Sequence, residues 1–402
     1  MLAILSGAVG VADGLDYFQD ASFAIDALAR GDLSGFAANP ALMGDFSLFV
    51  RAPFVWLVFE QSLTAVYLVG SLPCIAAVVA LALYLRRQML ALARPAAAVL
   101  LVTVLAVLNP GTLRSMHWGH PEEFLAGALC VGAIIAATRG RNLFAAVLLG
   151  LAIATKQWAL IAIVPTLLAT SEHRVRLLAV AGTLAVLIAL PAILLAPQSV
   201  VGTQKQIVQV PAVTAPASVW WPLSSPRTAA ERKAGSRGFA AEIPSWIASL
   251  AKPLIVLLGV PLGLLFWRRR ATFGPHDVLG LFALLMLLRC VLDPWNIDYY
   301  HAPFLLALLS WEVLARDGWP RVTLFASAAL ALTFPATLDS MSAMSEDGLR
   351  YCVTYLAWAL PLTGWLAMAL FAPRRLERWA RALRVRVARP QRGTIAPAAA
   401  PR

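Results

Sequence analysis

The sequence predicts an all-α, polytopic transmembrane protein with about eleven to twelve spans, several of them short and broken. Three observations carry this. Of 402 residues, 60% are hydrophobic and only 13% charged, against about half and a quarter in soluble domains. The mean hydropathy of +0.74 makes lipid the natural solvent for such a chain. Apolar runs also recur along its length, each bounded by charge or by Pro and Gly.

The first apolar stretch, Met1–Ala12, is too short to span and reads as the end of a helix whose start lies outside the sequence. Spans follow at about 63–85, 95–109, 123–138, 143–155, 157–170, 177–196, 250–267, 276–292, 301–315, 321–338 and 351–371. Runs shorter than about 17 residues need tilting, breakage or shielding by neighbours. Residues 1–372 thus make one transmembrane domain, interrupted by long loops at 13–53 and 197–249. The second loop is rich in Pro, Ser and aromatics, including Trp220, Trp221 and Trp246. Both loops are expected to hold short helices at the interface, where Trp belongs. A basic tail, 373–402, closes the chain.

Orientation follows from the basic residues. Alternate loops hold Arg86, Arg87, Arg94, Arg139, Arg141, Arg174, Arg176, Arg268, Arg269, Arg270, Arg316 and Arg321. With the tail they carry 21 of the 33 basic residues and five of the 21 acids. That face is expected in the cytoplasm of a bacterial plasma membrane, and most of the acids fall on the extracytoplasmic side. The net charge of +12 then reads as orientation and lipid contact rather than nucleic-acid binding. The strong preference for Arg over Lys points to a GC-rich bacterial genome. Cys74, Cys130, Cys290 and Cys352 lie in or beside apolar runs without metal-ligand spacing, so they read as buried small hydrophobes.

Four polar motifs fall on the extracytoplasmic side. The first loop has Asp13, Asp16 and Asp20, which share a face if helical. Clustered carboxylates there raise one another's pKa and can accept protons. HWGHPEEF, 117–124, follows an Asn109-Pro110-Gly111 break and brings His120, Glu122 and Glu123 near Arg114. Pro121 can start a helix whose N-terminus favours the two acids. His120 and Glu123 stand three apart, but one His and one Glu make a weak divalent-metal signal, so no cofactor is expected. ATKQWAL, 154–160, places Lys156 and Gln157 at the end of two short spans. An ionisable residue there is a functional candidate or a snorkelling one. In LRCVLDPWNIDYYHAPF, 288–304, Arg289 and Asp293 are four apart, and Asp298, Tyr300 and His301 crowd a short break.

The segments GLDYFQDA, HWGHPEE, TKQW and LDPWNIDYY resemble the GT-C superfamily of polyprenyl-phosphate-dependent glycosyltransferases, nearest to the bacterial alpha-mannosyltransferase-like membrane proteins. The resemblance spans roughly 10–370. It implies short extracytoplasmic helices framing a cavity, and a polyprenyl-phosphate sugar donor serving a glycan or lipid acceptor. Asp16 would be the base, alone or with Asp20, because the loop lacks the family's adjacent acidic pair. Lys156, Arg289 and Arg114 would hold the leaving phosphate. His120, Glu122 and Glu123 would position hydroxyls, with Gln157, Asp293, Asp298, Tyr300 and His301 completing the substrate site. A carrier or flippase is the alternative, since broken helices serve transporters too. A non-catalytic membrane protein is a further one.

Overall fold

The computed structural model describes residues 15–41, 43–58, 62–208, 212–225, 240–269, 272–334 and 347–374. The partial first segment, Asp13 and the tail beyond Arg374 lie outside the described residues.

The described residues begin with four short helices, α1 (Leu15–Asp20), α2 (Ser22–Ala29), α3 (Leu33–Ala38) and α4 (Asp45–Trp56). Asp32 caps α3, its side chain accepting from Gly35 N at 2.8 Å. These helices bury Tyr17, Ile25, Phe36 and Leu48 in a small core that Val66, Tyr67 and Ala192 also join. Then come α5 (Leu63–Gly70) continuing into α6 (Leu72–Ala91), α7 (Ala96–Leu108) continuing into α8 (Pro110–Trp118), and after them α9 (Pro121–Thr138) and α10 (Asn142–Ile153). A 3-10 turn, Gln157–Ala162, leads into α11 (Ile163–Ala169), α12 (Arg174–Leu195) and α13 (Pro197–Val208). Next come β1 (Val213–Thr214), β2 (Ala241–Glu242) and α14 (Ser245–Arg268). The described residues end with α15 (Asp277–Leu292), α16 (Ala302–Ala315), α17 (Arg321–Thr333) and α18 (Gly348–Phe371).

Each of the eleven expected apolar segments is helical. Among the described residues, six stretches are long and apolar enough to cross a membrane: Leu63–Ala91, Ala96–Trp118, Pro121–Thr138, Arg174–Leu195, Ser245–Arg268 and Gly348–Phe371. The protein is therefore an all-α, multi-pass membrane protein. The shorter helices gain support from neighbours. Helix α16 is buried along nearly its whole length, against α9 and α15. Helices α12 and α14, by contrast, present Val186, Leu187, Leu194, Leu257 and Val260 outward. Such all-round apolar surfaces suit hydrocarbon, not water.

Three details differ from expectation. The run at 157–170 breaks into a 3-10 turn before α11, because Lys156 enters in an extended conformation. The run ending near 338 is helical only to Thr333 among the described residues. The loop at 197–249 holds helix α13 as expected, but also an antiparallel ribbon pairing Val213 with Glu242 and Thr214 with Ala241. The ribbon segment is pinned to the α15 exit. Ala215 N donates to Pro294 O at 2.8 Å, Trp220 Nε1 to Leu292 O at 2.7 Å, and Asn296 Nδ2 to Ala217 O at 2.6 Å.

The arginine-rich connections converge at one end of the bundle. Arg94 Nη2 donates to Arg316 O at 3.1 Å, and Arg139 Nη2 to Gln88 Oε1 at 2.9 Å. Arg139 also lies 4.9 Å over the Tyr84 ring. The four polar motifs occupy the connections at the other end. Single cysteines replacing exposed Ser34 and exposed Ala91 are expected to react with an impermeant maleimide from opposite sides. Labelling of both from the same side of sealed vesicles would overturn this topology.

Candidate active site

The site forms where α1, α8, α9 and the turn before α11 meet. Asn109 starts α8 in an extended conformation, its side chain accepting from Thr112 N at 3.0 Å, with Pro110 in the first helical turn. Gly119 ends α8 at φ +89°, and a Cβ there would lie 2.7 Å from Tyr17 N. Only glycine lets this turn lie against the residue beside Asp16. Helix α9 then starts at Pro121, placing Glu122 and Glu123 in its first turn.

A second close approach sets Lys156. Gly44 N donates to Thr155 O at 2.9 Å, and Phe46 N to Ala154 O at 3.1 Å. A Cβ on Gly44 would come within 2.1 Å of Ala154 O. The start of α4 is thereby locked to the turn that presents Lys156.

These constraints produce a row of alternating charge. Asp16 Oδ2 lies 3.1 Å from His120 Nε2, and His120 Nδ1 lies 2.8 Å from Glu122 Oε1. The same Glu122 oxygen is 3.1 Å from Lys156 Nζ, which is 3.4 Å from Glu123 Oε1. Glu123 Oε2 accepts from Trp158 Nε1 at 2.9 Å and faces Arg289 Nη1 at 3.9 Å. Arg289 is sandwiched by rings, 5.1 Å from Trp158 and 4.5 Å from Tyr300. His120 also stacks on Tyr299 at 4.5 Å. Burial would lower the His120 pKa, but Glu122 and Asp16 outweigh it and raise it to about 9. Asp20, one turn beyond Asp16, makes no hydrogen bond among the described residues. Burial first, then Asp16, raises its pKa against the opposing pull of His120.

Beside this row lies a cavity of about 830 Å³. Glu123, Lys156, Gln157, Arg289, Asp293 and Tyr300 line its polar part. Helices α12 and α14 supply apolar sides through Val186, Ala189, Ile193, Pro253 and Val256. Its volume suits a small-molecule site, and its mixed lining suits a ligand with one polar end.

Some expected residues sit elsewhere. Arg114 Nε pairs with buried Asp298 Oδ2 at 3.3 Å, and neither lines the cavity. His301 is fully buried, its ring nitrogens 3.1 Å from Asp298 O and 3.1 Å from Tyr355 Oη. It packs among Phe334, Tyr355 and Trp358, so it shapes the loop rather than facing the cavity. Asp16, Asp20, His120 and Glu122 are not on the cavity wall either; the first three cluster behind Glu122.

Sequence reasoning missed three charged residues. Asp45 and Lys252 line the cavity, and Arg51 is buried with its Nη1 3.8 Å from Glu122 Oε2. Burial pushes Asp45 up to about 6. The available signal was isolation. Arg51 is the one basic residue of α4, and Lys252 interrupts an apolar run ahead of Pro253.

The model of glycosyltransferase family 87 matches residues 45–294, more than half of the chain. The chain belongs to glycosyltransferase family 87. No curated protein and no solved structure matches it. Within this family 87 member, the matched region includes Asp45, Arg51, His120, Glu122, Glu123, Lys156, Arg289 and Asp293. Asp16, Asp20, Asp298, Tyr300 and His301 lie outside it.

Gly44→Ala should push α4 away from the 154–156 turn. The expected cost is about 1–3 kcal/mol, read as a lower thermal midpoint in detergent, together with reduced activity. An unchanged midpoint would show that this contact does not hold the site.

Proposed function

We propose that the protein transfers a mannose-like hexose, or a pentose, from a polyprenyl-phosphate donor to a glycan or lipid acceptor on the extracytoplasmic face of a bacterial plasma membrane. The observation that carries this reading is the division of the cavity. Its sides come from α12 and α14, two helices that also face outward with apolar residues, and its inner end bears Lys156 and Arg289. A polyprenyl phosphate has the matching form, a hydrocarbon chain ending in an anion.

In this reading Lys156, Arg289 and Lys252 hold the donor phosphate by charge-assisted contacts in a partly dry site. Asp45, Gln157, Asp293 and Tyr300 contact the sugar. The acceptor hydroxyl approaches from the Asp16 side, where Asp20 and His120 lie, and reaches past Glu122 to the sugar in the cavity. Asp16 takes the hydroxyl proton as the acceptor oxygen bonds to the anomeric carbon, and the bond from that carbon to the phosphate oxygen breaks. The phosphate leaves with the bonding electrons. No cofactor enters this scheme.

A carrier fits less well. Transporter sites lie near the bilayer midplane, at the interface of paired repeats. Here the charged row sits at one end of the bundle, at the starts of α9 and the turn before α11.

Asp16→Asn is expected to lower transfer from a polyprenyl-phosphate sugar by roughly 10²–10⁴-fold while the protein still inserts. Radiolabelled sugar transfer in membranes measures it. Full activity in that variant would remove Asp16 from the mechanism, and donor uptake by proteoliposomes without sugar turnover would favour a carrier.

A further inference from the structure

Glu122 has an unusual position for a group expected to touch substrate. It is fully buried, it does not line the cavity, and it faces three cations from three different segments. Arg51 Nη1 from α4 lies 3.8 Å from Oε2. His120 Nδ1, at the start of α9, lies 2.8 Å from Oε1, and Lys156 Nζ lies 3.1 Å from that same oxygen. One carboxylate oxygen is therefore shared by a residue leading outward to Asp16 and a residue leading inward to the cavity.

We propose that Glu122 is a positioning residue that couples the two halves of the transfer site, setting the charge of His120 against Asp16 and the reach of Lys156 into the cavity. This rests on the glycosyl-transfer reading for its consequence, but its physical core stands on the contacts alone. His120 can donate from Nε2 to Asp16 and from Nδ1 to Glu122 only as the imidazolium. Glu122 supplies much of the reason for that charge. The groups facing His120 are Asp16 and Asp20 of α1, Glu122 of α9, Lys156 of the following turn and the stacked Tyr299. Without the Glu122 charge, Lys156 opposes the imidazolium, and Asp16, with Asp20 beyond it, is left to favour it. On the other side, an arriving phosphate competes with Glu122 and Glu123 for Lys156. As Lys156 moves toward the phosphate, Glu122 Oε1 turns wholly to His120. Donor binding and the charge beside Asp16 thus become linked through one atom.

Two measurements test this. The first is the titration of His120 in nanodiscs, followed by NMR with labelled histidine and assigned through His120→Asn among the five histidines. Glu122→Gln should lower the His120 midpoint by at least about one pH unit. Glu122→Asp, which keeps the charge but withdraws it by one methylene, should fall between. If Glu122→Gln does not accumulate in membranes, the Glu122→Asp titration decides. An unmoved midpoint overturns the proposal whether or not any sugar is transferred. The second is the pH profile of transfer. The alkaline limb of kcat should move to lower pH in Glu122→Gln, with kcat reduced about 10²-fold at neutral pH. A reduced kcat with an unmoved limb would mark Glu122 as merely structural. If the wild-type protein transfers no sugar while the His120 midpoint shifts as expected, the coupling stands and the glycosyl-transfer reading fails.

Discussion

Burial of charge in a place with little water is the constraint on which the rest of this structure depends. Glu122 and Arg51 are fully buried, and Glu123 and Arg289 nearly so. Ions held this way are tolerated only when opposite charges and hydrogen bonds surround them, and removing one partner of such a pair costs about 3–5 kcal/mol. The alternation from Asp16 to Arg289 supplies the opposite charges, while Arg51 makes no hydrogen bond among the described residues and is held by the Glu122 charge at 3.8 Å and the Tyr17 ring at 4.9 Å. The alternation also explains why so many separate segments must reach one point. Helix α1, helix α4, the α8–α9 turn, the turn before α11 and the end of α15 each contribute a charge, and each is held by local geometry. Gly44 and Gly119 are the tightest of these fixings, since a methyl group at either would meet backbone.

The fold was highly legible in the sequence because the bilayer leaves few solutions. The apolar runs are helical over most of their described length, and the alternation of arginine-rich connections is visible in contacts such as Arg94 with Arg316. What was not legible follows from physics as well. The short ribbon at Val213–Thr214 and Ala241–Glu242 has no alternating pattern and exists through bonds to the α15 exit. The residues just before the extended Lys156 and its 3-10 turn are held by Gly44 and Phe46, which lie more than a hundred residues earlier.

The site was legible only in part. Motif reading found Lys156, Glu123, Gln157, Arg289, Asp293 and Tyr300, which gather on one cavity. It could not tell that Arg114 would be matched to Asp298, or that His301 would be enclosed by aromatic rings. Adjacent residues in a break point in different directions, and periodicity says nothing about which way. Asp45 and Arg51 were overlooked because they fall in the long 13–53 loop, outside its cluster of Asp13, Asp16 and Asp20. Their importance comes from long-range contacts, Gly44 with Thr155 and Arg51 with Glu122.

The outward apolar faces of α12 and α14 flank the cavity they also wall. A ligand admitted between such helices arrives by lateral diffusion, so its effective concentration is a surface density rather than a molarity. Apparent affinities for such a ligand would scale with its mole fraction in the bilayer. Detergent would act as a diluent and as a competitor for the groove, and bilayer thickness would set how deeply a headgroup can sit against Lys156.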